Sequence, residues 1–135
     1  EMSKVRVRMD KPAKRKEGMM LKNDRTMHHW NPRFFVLDQT AHTLTWWVDG
    51  TKAKERGTIS LRNAEIVVGH DEPTFRMMPI FAVRVPERTY YFCCNTMAEM
   101  QDWTDSLQAV VRVAALFARA QRNARPEEHS GWLQK

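Results

Sequence analysis

The sequence predicts a mainly β domain that ends in one long amphipathic helix. Seven short runs of branched and aromatic residues, separated by turn residues, fill the first two thirds of the chain. A helical period follows once, after residue 96. At 135 residues, with 42% hydrophobic and 28% charged side chains, the chain is long enough to bury one core without disulfides or metal.

The strands read in order as follows. Residues 18–23 (GMMLKN) form the first, and residues 33–37 (RFFVL) the second, rich in aromatic and branched side chains. Residues 43–48 (TLTWWV) form the third and run into Asp49-Gly50, a strong turn signal. Trp46 and Trp47 must then face opposite ways, one into the core and one toward the surface or rim. Residues 57–61, 65–68, 81–85 and 89–94 supply the remaining strands, with Val85-Pro86-Glu87-Arg88 as a hairpin turn between the last two. Strands this short and this evenly spaced suggest a barrel or a sandwich.

The helix opens on a capping box, Thr96-Met97-Ala98-Glu99. Thr96 accepts from the Glu99 amide, and Glu99 reaches back to the Thr96 amide. Apolar residues at 97, 100, 103, 107, 110, 111, 114 and 117 lie on one face. No breaker intervenes before Arg125-Pro126, so the helix is expected over residues 97–122, about 39 Å at 1.5 Å per residue. One side of a small barrel cannot bury that length, and the last two turns are expected to project.

Two phrases near the start, KEGMMLK (16–22) and WNPRFFVL (30–37), and two near the end, TYYFCC (89–94) and the helix with Trp103, occur in that order. Together they resemble pleckstrin homology (PH) domains, whose first strands read G-x-L-x-K and W-K/R-x-R-W/Y-F-V-L and whose helix carries a tryptophan. The resemblance covers about residues 15–115. It implies a seven-stranded, partly open barrel of two near-orthogonal sheets, capped at one end by the amphipathic helix. The other end would carry the first/second, third/fourth and sixth/seventh strand loops, which in lipid-binding members cup a phosphoinositide headgroup.

Phosphate recognition needs cations in fixed geometry, and the arginine fork grips two oxygens at once. The family signature is a lysine near the end of strand one and a basic-x-Arg pair opening strand two. By position Lys22 and Arg33 match, while Asn31 stands where the middle cation belongs. Asn31 can donate a hydrogen bond but brings no charge, so weak or relaxed headgroup affinity is expected. Arg25 in the first loop and Lys52, Lys54 and Arg56 in the third/fourth loop are further candidate contacts. Met27 could dip into the acyl boundary, and His28-His29 could make binding pH-dependent. Solvated rim residues of no consequence would give the same sequence at each of these positions.

Charge is unevenly placed. Residues 1–16 carry seven Lys/Arg and two acids, almost all of the net +6. This basic arm (1–15) would add attraction to an anionic leaflet, about 1 kcal/mol per cation near the surface. Its alternation Val5-Arg6-Val7-Arg8-Met9 also fits an extra edge strand. The arm lacks interleaved aromatics, so nucleic acid is not an expected partner. The domain proper is expected at 16–122. The tail, 123–135, ends in GWLQK, a match to the first strand of a PH domain or a chance likeness. The Glu-Met-Ser start reads as the edge of a fragment, so a longer parent with tandem domains is one expectation.

Cys93 and Cys94 are neighbours that point to opposite faces of a strand and cannot pair with each other, which suggests reduced thiols and a cytoplasmic setting. Asp102 and Asp105 lie on the polar helix face, and no catalytic or metal-binding motif occurs, so no enzyme and no cofactor is expected. Two functions remain: a peripheral membrane module for anionic phospholipids and phosphoinositides, or a scaffold that meets a protein partner through the long helix.

Overall fold

The computed structural model describes residues 16–24, 29–68 and 78–130, with 124–130 described by backbone alone. The basic arm with its possible edge strand, Arg25, Met27, His28 and the GWLQK tail all lie outside the described residues. The elements follow the predicted order: β1 (Lys16–Asn23), β2 (Trp30–Asp38), β3 (Thr43–Trp47), β4 (Glu55–Ser60), β5 (Glu65–Val68), β6 (Ile80–Val85), β7 (Arg88–Cys93) and α1 (Met97–Ser130). β2 begins earlier than predicted because Pro32 does not stop it. There β2 faces β1 alone, since β3 joins only from Phe34, and a missing N–H is tolerated.

All pairings are antiparallel, in the order β4-β3-β2-β1-β7-β6-β5. The two sheets implied by the family resemblance are therefore joined into one. β1 is the seam: it pairs with β2 along its whole length and with β7 at Leu21 and Lys22. β4 and β5 remain as edges, which leaves the barrel partly open.

Alternation on each strand selects the core. Phe35 and Leu37 of β2 and Leu44 and Trp46 of β3 are buried, as are Phe81, Val83 and Phe92 of β6 and β7. Phe35 meets Phe92 edge to face at 5.2 Å and Trp103 at 6.5 Å, so one aromatic cluster ties both halves of the sheet to the helix. Trp46 is the inward member of the tryptophan pair, and Trp47 is half-buried on the outer face.

The helix cap forms with one difference. Glu99 N–H donates to Thr96 Oγ1 at 3.0 Å, but the Glu99 carboxylate accepts from Asn95 N–H rather than from Thr96. β7 ends at Cys93, which leaves the Asn95 amide without a strand partner and within reach of the longer side chain. Met100, Trp103, Leu107, Val110 and Ala114 are buried, whereas Met97 and Phe117, at the two ends of the predicted apolar face, are exposed. Past Ala114 no described side chain of α1 is buried, as expected for a helix that outruns its barrel. α1 continues to Ser130, beyond the predicted stop. A proline removes one helical hydrogen bond without necessarily ending a helix flanked by good helix formers.

Candidate functional site

α1 closes the end of the barrel where β1 starts. Lys16 pairs with Asp102 on the helix and lies 4.8 Å over the Trp103 ring, which also covers Gly18, where a Cβ would lie 3.6 Å from Cζ2 of the indole. The opposite end is open. A cleft of about 450 Å³ is set into it, walled by the end of β1, the starts of β2, β4 and β7, and Trp46 of β3.

The strand register brings the cations together. Lys22, next to last on β1, stands opposite Asn31 on β2 and beside Phe92 on β7. Its ammonium lies 5.4 Å from the Trp46 ring and 5.7 Å from the Tyr90 ring and donates to the Asn23 carbonyl. Arg33, two residues along β2, is steadied by a 2.8 Å bond from Nη1 to the Pro32 carbonyl. Its pKa is lowered, first by burial and then by the like charge of Arg56, so the two guanidiniums are close enough to repel. An anion between the two guanidiniums would relieve the repulsion.

Arg56 owes its place to a β-bulge. Trp46 pairs with Gly57 and Trp47 with Glu55, which leaves Arg56 as the extra residue of β4 at the rim. Gly57 is required beside it, because a Cβ there would lie 2.5 Å from Cζ2 of Trp46. The indole therefore rests directly on the β4 backbone and forms the cleft wall. It meets Tyr90 at 5.6 Å, and Tyr90 in turn carries the Arg88 guanidinium 4.2 Å from its ring centroid. One acid also lines the cleft: Asp24, whose carboxylate faces His29 Nδ1 at 3.0 Å and whose amide donates to the His29 carbonyl.

Of the residues singled out from sequence, Lys22, Asn31, Arg33 and Arg56 line this cleft. Lys52 does not. It adopts a left-handed backbone (φ 59°), pairs with Glu17 at 3.2 Å and lies over the Phe34 ring on the outer face of the sheet. The preceding turn explains this, since the Asp49 carboxylate accepts from both the amide and the hydroxyl of Thr51 and folds the loop back. These same bonds hold the Asp49 carboxyl below its usual range. Lys54 is exposed outside the cleft, where its carbonyl accepts from Val48 N–H. Sequence reading missed Arg88, Tyr90, Asp24 and the wall-forming role of Trp46. Arg88 closes the Val85-Pro86-Glu87-Arg88 turn, one of the loops expected at this end, so the signal was present.

Among the described residues no group of three or more His, Cys, Asp or Glu side chains could hold a metal. No described helix is long and apolar enough to cross a membrane. Cys93 and Cys94 are buried free thiols, and burial, with smaller contributions from Glu99 and Cys93, pushes Cys94 up to about 12. Neither is a ready nucleophile.

Comparison with known proteins agrees with this fold. The chain is 28% identical over 123 residues to protein daughter of sevenless of Drosophila melanogaster, covering 82% of this chain and 13% of that protein. It is 31% identical over 112 residues to Ras GTPase-activating protein 3 of Mus musculus, covering 76% of this chain and 12% of that protein. The chain thus spans about an eighth of the length of these relatives. A crystal structure of the C-terminal PH domain of pleckstrin in complex with D-myo-Ins(1,2,3,4,5)P5 superposes with a TM-score of 0.59 at 21% identity, over 70% of this chain and 95% of that one. The family model for the PH domain matches residues 14–112, and the chain belongs to this family of non-catalytic modules.

Proposed function

We propose that the chain is a membrane-targeting module whose open end binds phosphoinositide headgroups on an anionic bilayer, with relaxed specificity. The observation that carries this reading is a difference in pairing. Lys16, Lys52 and Arg84 on the barrel body are matched to Asp102, Glu17 and Glu65. Arg33, Arg56 and Arg88 gather at one cleft with no acid partner among the described residues. Unmatched cations around a cleft with aromatic walls suit a phosphate ligand. The inositol pentakisphosphate named in the pleckstrin complex supports the same ligand class. Asn31 in place of a cation and Asp24 in the cleft argue for modest affinity, which the basic arm would supplement by nearby attraction to the leaflet.

The test is cosedimentation with vesicles carrying each phosphoinositide in turn, for the full chain, Arg33→Ala and a chain lacking residues 1–15. Loss of binding in Arg33→Ala supports the cleft. Binding that ignores Arg33 but vanishes without the arm leaves only surface attraction. Absence of binding to every anionic vesicle overturns the membrane reading.

A second reading rests on α1. Val113, Leu116 and Phe117 are exposed at i, i+3, i+4 spacing, a stripe suited to a protein partner. A crosslinked or co-purified partner lost on Leu116→Asp, with vesicle binding intact, would favour it.

A further inference from the structure

We propose that Arg88 forms a second cationic pole of the cleft, which favours an inositol ring carrying phosphates on two sides over one carrying a single phosphate. The inference rests on the headgroup reading above and goes past it to a residue and a preference. Sheet order provides the geometry. Arg33 and Arg56 come from β2 and β4, on one side of β1, whereas Arg88 comes from β7 on the other. Lys22 sits on β1 between them. On β2 the cleft is lined by uncharged Asn31 and by Arg33, so that strand brings one cation and β7 adds another in Arg88.

Arg88 is built for this work and not for solubility. It is half-buried, and its guanidinium lies 4.2 Å from the Tyr90 ring centroid, which limits where the side chain can go. No acid neutralises it among the described residues, although Arg84, on the neighbouring strand, is tied to Glu65 at 3.0 Å. Tyr90 is itself fixed by Trp46, which rests on Gly57, so the pole is held by a continuous stack from β7 across to β4. A cleft of about 450 Å³ falls in the range of small-molecule sites and admits a sugar-sized ring. On this proposal a single phosphate sits at the Arg33–Arg56 pole. A phosphate on the far side of the ring is needed before Arg88 contributes.

Binding is measured for the full chain, Arg88→Ala, Arg88→Lys and Arg33→Ala. Calorimetry uses soluble inositol 1,4,5-trisphosphate, and cosedimentation uses phosphatidylcholine vesicles doped with a phosphatidylinositol monophosphate or bisphosphate. A charge-assisted contact predicts that Arg88→Ala weakens trisphosphate and bisphosphate binding by about tenfold or more. The ratio of bisphosphate to monophosphate affinity should fall toward unity. Arg88→Lys, which keeps charge but loses the stacked fork, should fall between the two and guards against a folding defect in the alanine variant. Dependence on Arg88 in solution without vesicle binding would assign a free inositol phosphate as ligand and still support the pole. Binding lost in Arg33→Ala but unchanged in Arg88→Ala overturns this inference and leaves the headgroup reading standing. No binding by the unaltered chain to either probe overturns both.

Discussion

The two ends of the barrel use the same residue types for opposite purposes. At the closed end Lys16 lies over Trp103 and is neutralised by Asp102, and the rings beneath are sealed from water. At the open end Lys22 also lies over aromatic rings, Trp46 and Tyr90, but it is joined by Arg33, Arg56 and Arg88. At the closed end a cation over an aromatic ring is a structural clasp; on the headgroup reading proposed above, the same arrangement at the open end, with further cations around it, would contact a ligand. The closed end should govern stability and the open end binding, and substitutions can test that division.

The largest stability effect is expected from Trp103→Ala. The ring is 5% exposed, touches Phe35 and covers Gly18, and its loss leaves a cavity where the helix meets both halves of the sheet. A cost of about 3–5 kcal/mol is expected in urea unfolding. A cost below about 1 kcal/mol, ordinary for an exposed site, would remove the closed end as the source of stability.

Gly57→Ala is expected to breach the division, because Trp46 belongs to both the core and the cleft. The added methyl group would meet the indole at 2.5 Å, and relief requires Trp46 or the β4 bulge to shift. Overpacking of this kind costs about 1–3 kcal/mol. Since Lys22 and Tyr90 lean on that indole, vesicle binding should weaken in the same variant. Lost stability with binding intact would show that Trp46 does not hold the cleft.

How much of this was legible in sequence follows from which interactions are local. Strand and helix periods are properties of adjacent residues, so all seven strands and the cap at Thr96 could be read directly. Lys22, Asn31 and Arg33 were legible through the family signature, and the first hairpin brings them together by register. Arg88 and Tyr90 reach the cleft through β7 pairing with β1, a contact between distant parts of the chain. Lys52 misled for a local reason: one left-handed residue turned it to the outer face, whereas the bulge kept its neighbour Arg56 at the rim.

A pH effect belongs to the closed end. The Cys94 thiol is raised from 9.0 to about 12, chiefly by burial. Because the unfolded thiol ionises first, the unfolded state binds fewer protons between those values, and stability falls as pH rises from 9 toward 12. Below pH 9 this thiol makes no difference to stability. In the folded chain iodoacetamide at pH 8 should alkylate Cys94 slowly, and urea should accelerate it. Rapid alkylation of the folded chain would mean that the β7–α1 corner opens readily.

The smallest stability effect should come from the residue on which binding depends most. Arg33 is half-buried, makes one bond to its neighbour's carbonyl, and is disfavoured by Arg56. Removing it loses a weak bond and relieves a repulsion, so Arg33→Ala should shift unfolding by no more than about 0.5 kcal/mol in either direction. Raised salt screens exposed like charges, so the intact chain should gain stability with salt more than the variant does. That difference reads the Arg33–Arg56 repulsion in the absence of any ligand. If salt affects both chains equally, the two guanidiniums do not share a site, and the open end loses the unrelieved charge that an anion would answer.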